Sequence, residues 1–178
     1  MIRLIYYQYL LILLLIIAVF MDFKYDRIYN GWIVFGILLG LSLRILRNGW
    51  YDARSAITAM LLSFCILYPL YKIGALGAGD VKLLIMVGSF ESANQLLRVI
   101  VVSFIIGSVF SIGKMISEEN FRERMQYLFS YMSDVFCTGQ WKLYGENLKD
   151  DYKKYKSNKI HFALPVCFSV MLGMGGVF

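Results

Sequence analysis

The chain has 178 residues, of which 59% are hydrophobic and 17% are charged, and its mean hydropathy is +0.62. A soluble domain carries about 25% charged residues, so this composition excludes a disordered or collagen-like chain and predicts an all-α integral membrane protein. The net charge of +6 does not predict a nucleic-acid partner, because the basic residues lie mostly between apolar runs. Membrane topology explains that distribution.

Six apolar runs divide the chain. At about 20 residues per crossing, they predict about six transmembrane helices in a single domain, residues 1–178, with the runs at 4–21, 28–46, 56–71, 81–90, 96–112 and 160–178. Arg3 precedes the first run, as in a signal peptide. That run is longer than an h-region of roughly 7–15 residues and no A-x-A-like site follows it, so we expect a retained helix.

A glycine-rich break over residues 74–80 separates the third run from the fourth. Irregular backbone at membrane depth is tolerated only where protein or a water-filled cavity surrounds it. The fourth run is also short for a full crossing. The break is therefore a candidate functional segment.

The segment 114–159 is the one sizeable polar stretch of the chain. Two sets of apolar residues in it recur at helical spacing, which allows two interpretations. They form amphipathic helices on the membrane surface, or they belong to a folded loop that packs on the bundle ends. The two sets are Phe121, Met125, Leu128, Phe129 and Met132, and Trp141, Tyr144, Leu148, Tyr152 and Tyr155.

The distribution of Lys and Arg predicts the orientation. In a six-helix chain, 13 of the 18 basic residues fall on one side, in residues 22–31, 72–82 and 114–159. The positive-inside rule places this side in the cytoplasm and both termini outside. We therefore expect the loop after the first helix, the glycine-rich break and the segment 114–159 to share the cytoplasmic face.

The few cysteines and the single histidine limit which metal sites the chain can form. Cys65, Cys137 and Cys167 form no C-x-x-C pair, which argues against a zinc knuckle or a disulfide framework. His161 is the single histidine, which excludes an H-E-x-x-H zinc site and leaves a Ser/His or Cys/His system dependent on one residue. We predict no metal and no cofactor.

Two acidic residues stand out because they lie at predicted helix ends: Asp22 after the first run and Asp80 before the fourth. A carboxylate inside the hydrocarbon costs roughly 2.5–3.5 kcal/mol on insertion scales, so an acid kept there suggests a function. Asp80 taken alone also fits a helix N-cap. Capping does not explain Asp22, because an anion at a helix C-terminus opposes the macrodipole. For Asp26, an ion pair with Arg27 suffices.

Three segments resemble the type IV prepilin peptidases, a family of intramembrane aspartyl proteases. Residues 77–83, with Gly88 further on, look like the family's G-x-G-D motif and the helix after it. Residues 22–30 resemble its other motif, an aspartate followed by basic residues and then Ile-Pro-Asn, although Tyr29 stands where the proline is usual. Residues 160–173 are similar to its final proline-containing helix.

The resemblance implies that Asp22 and Asp80 are the catalytic pair and that Gly77 and Gly79 let the backbone bend so that Asp80 faces Asp22. It implies a peptidase in the plasma membrane, with its active site toward the cytoplasm, that removes short basic leaders from prepilins or pseudopilins. The larger, methylating members carry a cysteine-bearing cytoplasmic domain that has no counterpart here. We expect a peptidase without N-methyltransferase activity, similar to the short members that serve Flp/Tad-type pili.

Three other classes remain open. One is a different G-x-G-D protease, of the presenilin or signal-peptide-peptidase type, in which the first aspartate is expected as Tyr-Asp in a longer helix. Here Met21 precedes Asp22. The others are a non-enzymatic membrane assembly component and a small transporter, both of which would tolerate replacement of Asp80 by asparagine.

Overall fold

A computed structural model describes residues 2–117 and 161–176, together with residues 126, 129, 130 and 133. The two described ranges are helical and contain no strand. Their six helices are α1 Ile2–Tyr25, α2 Asn30–Asn48, α3 Trp50–Lys72, α4 Ala78–Phe90, α5 Ala93–Ser117 and α6 Ala163–Met174. The segment 114–159, for which the sequence allowed amphipathic helices or a folded loop, lies outside the described residues apart from the last turn of α5 and residues 126, 129, 130 and 133.

Four of these helices are long and apolar enough to cross a membrane: α1, α2, α3 and α5. The protein is therefore a multi-pass membrane protein. The other two are shorter, since α4 has 13 residues and α6 has 12. At 1.5 Å per residue they extend about 20 Å and 18 Å, less than the hydrocarbon core of about 30 Å. All six helices occur where apolar runs predicted them, and four have the length of a crossing.

Helix α4 lies inside the bundle. It packs mainly against α3 and α2 and also contacts α1, α5 and α6. A helix that is apolar on every side belongs in a protein interior rather than at a surface. Its buried residues are Val81, Leu83, Leu84, Met86, Val87, Gly88, Ser89 and Phe90.

Small residues on α2 allow α4 to approach closely. Gly36 and Gly40 form a G-x-x-x-G pair, which brings helices close together in membranes. A Cβ on Gly40 would meet Ser89 Oγ at 2.5 Å and the Phe90 ring at 2.7 Å, and a Cβ on Gly36 would collide with the Met86 side chain. The position of α4 therefore depends on these two glycines.

A polar cluster ties α2 to α3 at the connection between them. The carboxylate of Asp52 accepts hydrogen bonds from Arg47 Nε at 3.0 Å and from Asn48 Nδ2 at 2.8 Å. Arg44 is 4% exposed and donates to the backbone oxygen of Asp52 at 3.3 Å. Nearby, burial raises the pKa of the Glu91 carboxyl, although the charges of Arg44 and Arg47 act in the opposite direction.

Candidate functional site

Asp22 lies in the last turn of α1 and is buried, with 5% of its surface exposed. The helix ends at Tyr25, and Asp26 follows in the left-handed conformation with φ of 54°, so that its backbone N–H donates to Asp22 O at 3.0 Å. This is a common helix C-terminal arrangement, which short polar residues tolerate. Asp26 is exposed and therefore has a structural place at the helix end, whereas Asp22 faces the protein interior.

Asp80 lies in the first turn of α4 but is not its N-cap, because Gly77 occupies the N-cap position. The N-cap alternative for Asp80 is therefore wrong. The Asp80 carboxylate turns back over Gly77, since its Oδ2 lies 2.9 Å from where a Cβ on Gly77 would be. An acid in the first turn of a helix is favoured by the helix dipole.

Gly77 and Gly79 were expected to let the backbone bend, but their backbone conformations do not require glycine. Gly77 has φ of −74° and ψ of 148°, which any residue adopts, and Gly79 lies within α4. The left-handed residue of the break is Gly74, with φ of 78°. Gly77 supplies space beside the Asp80 carboxylate, and Gly74 supplies the conformational freedom at the turn.

Two hydrogen bonds at opposite ends of the bundle, from Tyr7 to Phe90 and from Lys82 to Asn30, show that α1 and α4 run antiparallel, since Asn30 closely follows α1. Tyr7 donates from its hydroxyl to Phe90 O at 2.7 Å, which joins the start of α1 to the end of α4. Asp22 and Asp80 are about 22 Å and 15 Å along their helices from this contact. Both carboxyl groups therefore lie at the other end of the bundle.

At the same end of the bundle, a contact between the two motif segments joins α4 to α2. Lys82 Nζ, in the first turns of α4, donates to Asn30 Oδ1 at the start of α2 over 2.9 Å. Both side chains are exposed. Lys82 therefore links the start of α4 to the segment that follows Asp22.

His161, which the sequence did not single out as a site residue, is the side chain that contacts Asp22. Its Nδ1 lies 3.3 Å from Asp22 Oδ2, and its ring stacks on Phe23 with the ring centres 4.5 Å apart. Asp22 and His161 stand near opposite ends of the chain, so no local spacing signals the contact. The available signal was only that the single histidine comes at the start of an apolar run.

An apolar cleft of about 420 Å³ adjoins this contact. It lies between the end of α1, the last turns of α5 and the start of α6. Phe23 and His161 belong to its wall and connect it to Asp22. The other lining residues are Val109, Phe110, Gly113, Lys114, Leu164 and Pro165.

Within the described ranges, no group of three or more His, Cys, Asp and Glu side chains is arranged to hold an ion. What the end of the bundle offers is acid–base chemistry. It combines a buried carboxyl group, a second carboxyl group at a helix N-terminus and an imidazole.

This arrangement defines a multi-pass helical membrane protein with two acidic side chains at one end of its bundle. Residues 9–112 match the type IV leader peptidase family. The match covers more than half of the chain and includes both aspartates, so the chain belongs to this family and is a peptidase. Comparisons with curated proteins and with solved structures found no match. The resemblance that the motifs indicated is confirmed.

Proposed function

We propose that the protein is an intramembrane aspartyl endopeptidase in which Asp22 and Asp80 are the catalytic pair. The observation that carries this proposal is the burial of Asp22 at the end of α1, at the same end of the bundle as Asp80. An acid buried in a membrane protein is costly and marks a functional site by default. Family membership supplies the reaction class, peptide hydrolysis.

Two carboxyl groups that face each other divide the chemistry of peptide hydrolysis between them. Like charges at hydrogen-bonding distance cannot both ionise, so the pair shares one proton. The ionised member takes a proton from the attacking water, and the protonated member polarises the peptide carbonyl. When the substrate binds, Asp22 and Asp80 would act in this way on a peptide bond held between the ends of α1 and α4.

The proposed substrates are prepilins and pseudopilins, from which the enzyme removes a short basic leader at the cytoplasmic face of the plasma membrane. The positive-inside bias supports this orientation, because the segments that carry Asp22 and Asp80 hold basic residues. The apolar cleft beside Asp22 supports a substrate whose chain is hydrophobic near the cleaved bond. The chain has no C-x-x-C pair, and we propose no N-methyltransferase activity.

The direct test is to produce the full chain in membranes with a precursor that has a basic leader followed by an apolar helix. We expect one cut at the junction, identified by the mass and the N-terminal sequence of the product. A second precursor, with its basic leader residues changed to serine, is expected to be cut less. A precursor that stays uncut, in membranes where the chain is inserted and folded, would favour the non-enzymatic assembly component or the transporter.

Gly77→Ala is expected to lower kcat by about 10- to 100-fold, because small displacements of a catalytic group have effects of this size. The alanine fits the backbone angles of Gly77, but its Cβ would lie 2.9 Å from Asp80 Oδ2 and push the carboxylate aside. Gly79→Ala is the matched control, since nothing lies within 4 Å of a Cβ there. An equal loss in both variants would show that backbone freedom matters, rather than space.

Gly113→Leu is expected to raise KM several-fold while kcat changes little, because the leucine fills part of the cleft and removes binding area. A Cβ on Gly113 has no neighbour within 4 Å, so the helix tolerates the side chain. Ser108→Leu places the same side chain on α5 at an exposed position that does not line the cleft. Initial rates over a range of precursor concentrations in detergent check the prediction. Equal KM values for the two variants would exclude the cleft from substrate binding.

A further inference from the structure

The contact between His161 and Asp22 leaves both of its polar atoms without another partner. Asp22 Oδ2 and His161 Nδ1 are buried and make no hydrogen bond within the described residues. The side chains are 8% and 22% exposed. Buried polar atoms in native structures are nearly always hydrogen-bonded, and each exception calls for an explanation.

A single proton placed between Asp22 Oδ2 and His161 Nδ1 would give both atoms a hydrogen-bond partner. At 3.3 Å the two atoms are slightly beyond the usual hydrogen-bond length, and a proton on either of them makes one atom a donor and the other an acceptor. The position of Asp22 adds a reason for such a partner. At the C-terminal end of α1 the helix dipole opposes a negative charge, and the helix itself supplies no donor there.

His161 is also held in place by packing of its own ring and of the residue that follows it. Its ring stacks on Phe23, the residue after Asp22. The next residue, Phe162, packs its ring against Phe104 of α5, with the ring centres 5.2 Å apart, and lies against Gly107. A side chain fixed by packing in this way can hold a catalytic group in a defined orientation.

We propose that His161 is a positioning residue for Asp22: its Nδ1 shares a proton with Asp22 Oδ2 and so holds the carboxyl group in the orientation that peptide hydrolysis needs. The proposal rests on the proposed function of Asp22 as a catalytic residue. His161 acts through Asp22 and not on the substrate. His161, which lies outside the matched range 9–112, thus contributes to the site from the position just before α6.

Two substitutions of His161 distinguish the contribution of its nitrogen from the contribution of its ring. His161→Phe keeps a ring to stack on Phe23 but has no nitrogen, whereas His161→Asn keeps a polar nitrogen near the position of Nδ1 and loses the ring. We expect the Phe variant to lose about 10- to 100-fold in kcat, the range for a hydrogen bond to a charged group, with KM within about twofold. The Asn variant is expected to recover most of that loss.

The measurement is steady-state cleavage of a precursor by the full chain in detergent, with thermal unfolding of each variant as the check on folding. A merely structural histidine gives the opposite order, with Phe active and Asn impaired. That order, or equal losses in both variants, would overturn the proposal. If the Phe variant does not accumulate, His161→Leu takes its place with the same expectation.

Asp22→Asn in the same assay distinguishes a failure of the positioning role of His161 from a failure of the proposed function. If Asp22→Asn is inactive while His161→Phe cleaves at the wild-type rate, the positioning role fails and the proposed function stands. If Asp22→Asn cleaves normally, the catalytic pair fails, and the role of His161 fails with it.

Discussion

Asp22→Asn and Asp80→Asn are each expected to abolish cleavage of a precursor in the membrane. Asparagine has the shape of aspartate but neither takes a proton from water nor donates an acidic proton to a carbonyl. A positioned acid or base contributes about 10²- to 10⁴-fold to a rate, and loss of one member also ends the sharing of a proton between the two. The remaining rate should fall near the background of the assay, as followed by the fraction of precursor converted with time.

Asp26→Asn is the matched control for both variants. It removes a carboxylate four residues from Asp22, at an exposed position, and asparagine tolerates the left-handed backbone that Asp26 adopts. We expect near-normal cleavage. All three proteins should reach the membrane in similar amounts, since none of the substitutions changes the size of a side chain. Normal cleavage by Asp22→Asn or by Asp80→Asn would exclude the pair.

Gly40→Ala is expected to destabilise the fold by about 1–3 kcal/mol, the usual cost of overpacking a core. The new methyl group would lie 2.5 Å from Ser89 Oγ and 2.7 Å from the Phe90 ring. Neither neighbour moves easily. The Ser89 hydroxyl donates to Met86 O at 2.7 Å, and Phe90 is 1% exposed and packs on Tyr7. Thermal unfolding in detergent and the yield of folded protein measure the effect.

Alanine substitutions at two other glycines of α2 are the controls for this prediction, with smaller expected effects on stability. Gly36→Ala also collides, but with the side chain of Met86, which is flexible and adapts at low cost. Gly31→Ala meets nothing within 4 Å. Since alanine is favoured over glycine in a helix by up to about 1 kcal/mol, we expect the order of stability to be Gly31→Ala, then Gly36→Ala, then Gly40→Ala. A Gly40→Ala protein as stable as the Gly31→Ala protein would mean that α4 does not pack on this face of α2.

The helices were predictable because their cause is local. Each apolar run satisfies its own backbone hydrogen bonds, which a bilayer requires, and the structure has a helix at every predicted run. Some helix ends differ from the prediction: α2 covers Asn30–Asn48 instead of 28–46, and α3 begins at Trp50 instead of 56. What composition did not indicate is that α4 lies at the centre of the bundle while four other helices have the length of a crossing.

The candidate site was predictable in part. Asp22 and Asp80 were found from their positions at helix ends and from their motifs, and both lie at one end of the bundle. The role of Gly77 was not predictable, because the space that it leaves for the Asp80 carboxylate matters only when that side chain points toward it. His161 was not found either, since only the packing of α6 against α1 brings it to Asp22.

The sequence by itself determined that this is a helical membrane protein, where its helices lie and which two acids are candidates for chemistry. Only the tertiary structure decided which helix is central, which glycines are close-packed and which side chain faces Asp22. The physical reason is that helices that are apolar on all sides carry no pattern that selects a neighbour. In a membrane the neighbours follow from steric fit between small residues and large ones, and that fit exists only in three dimensions.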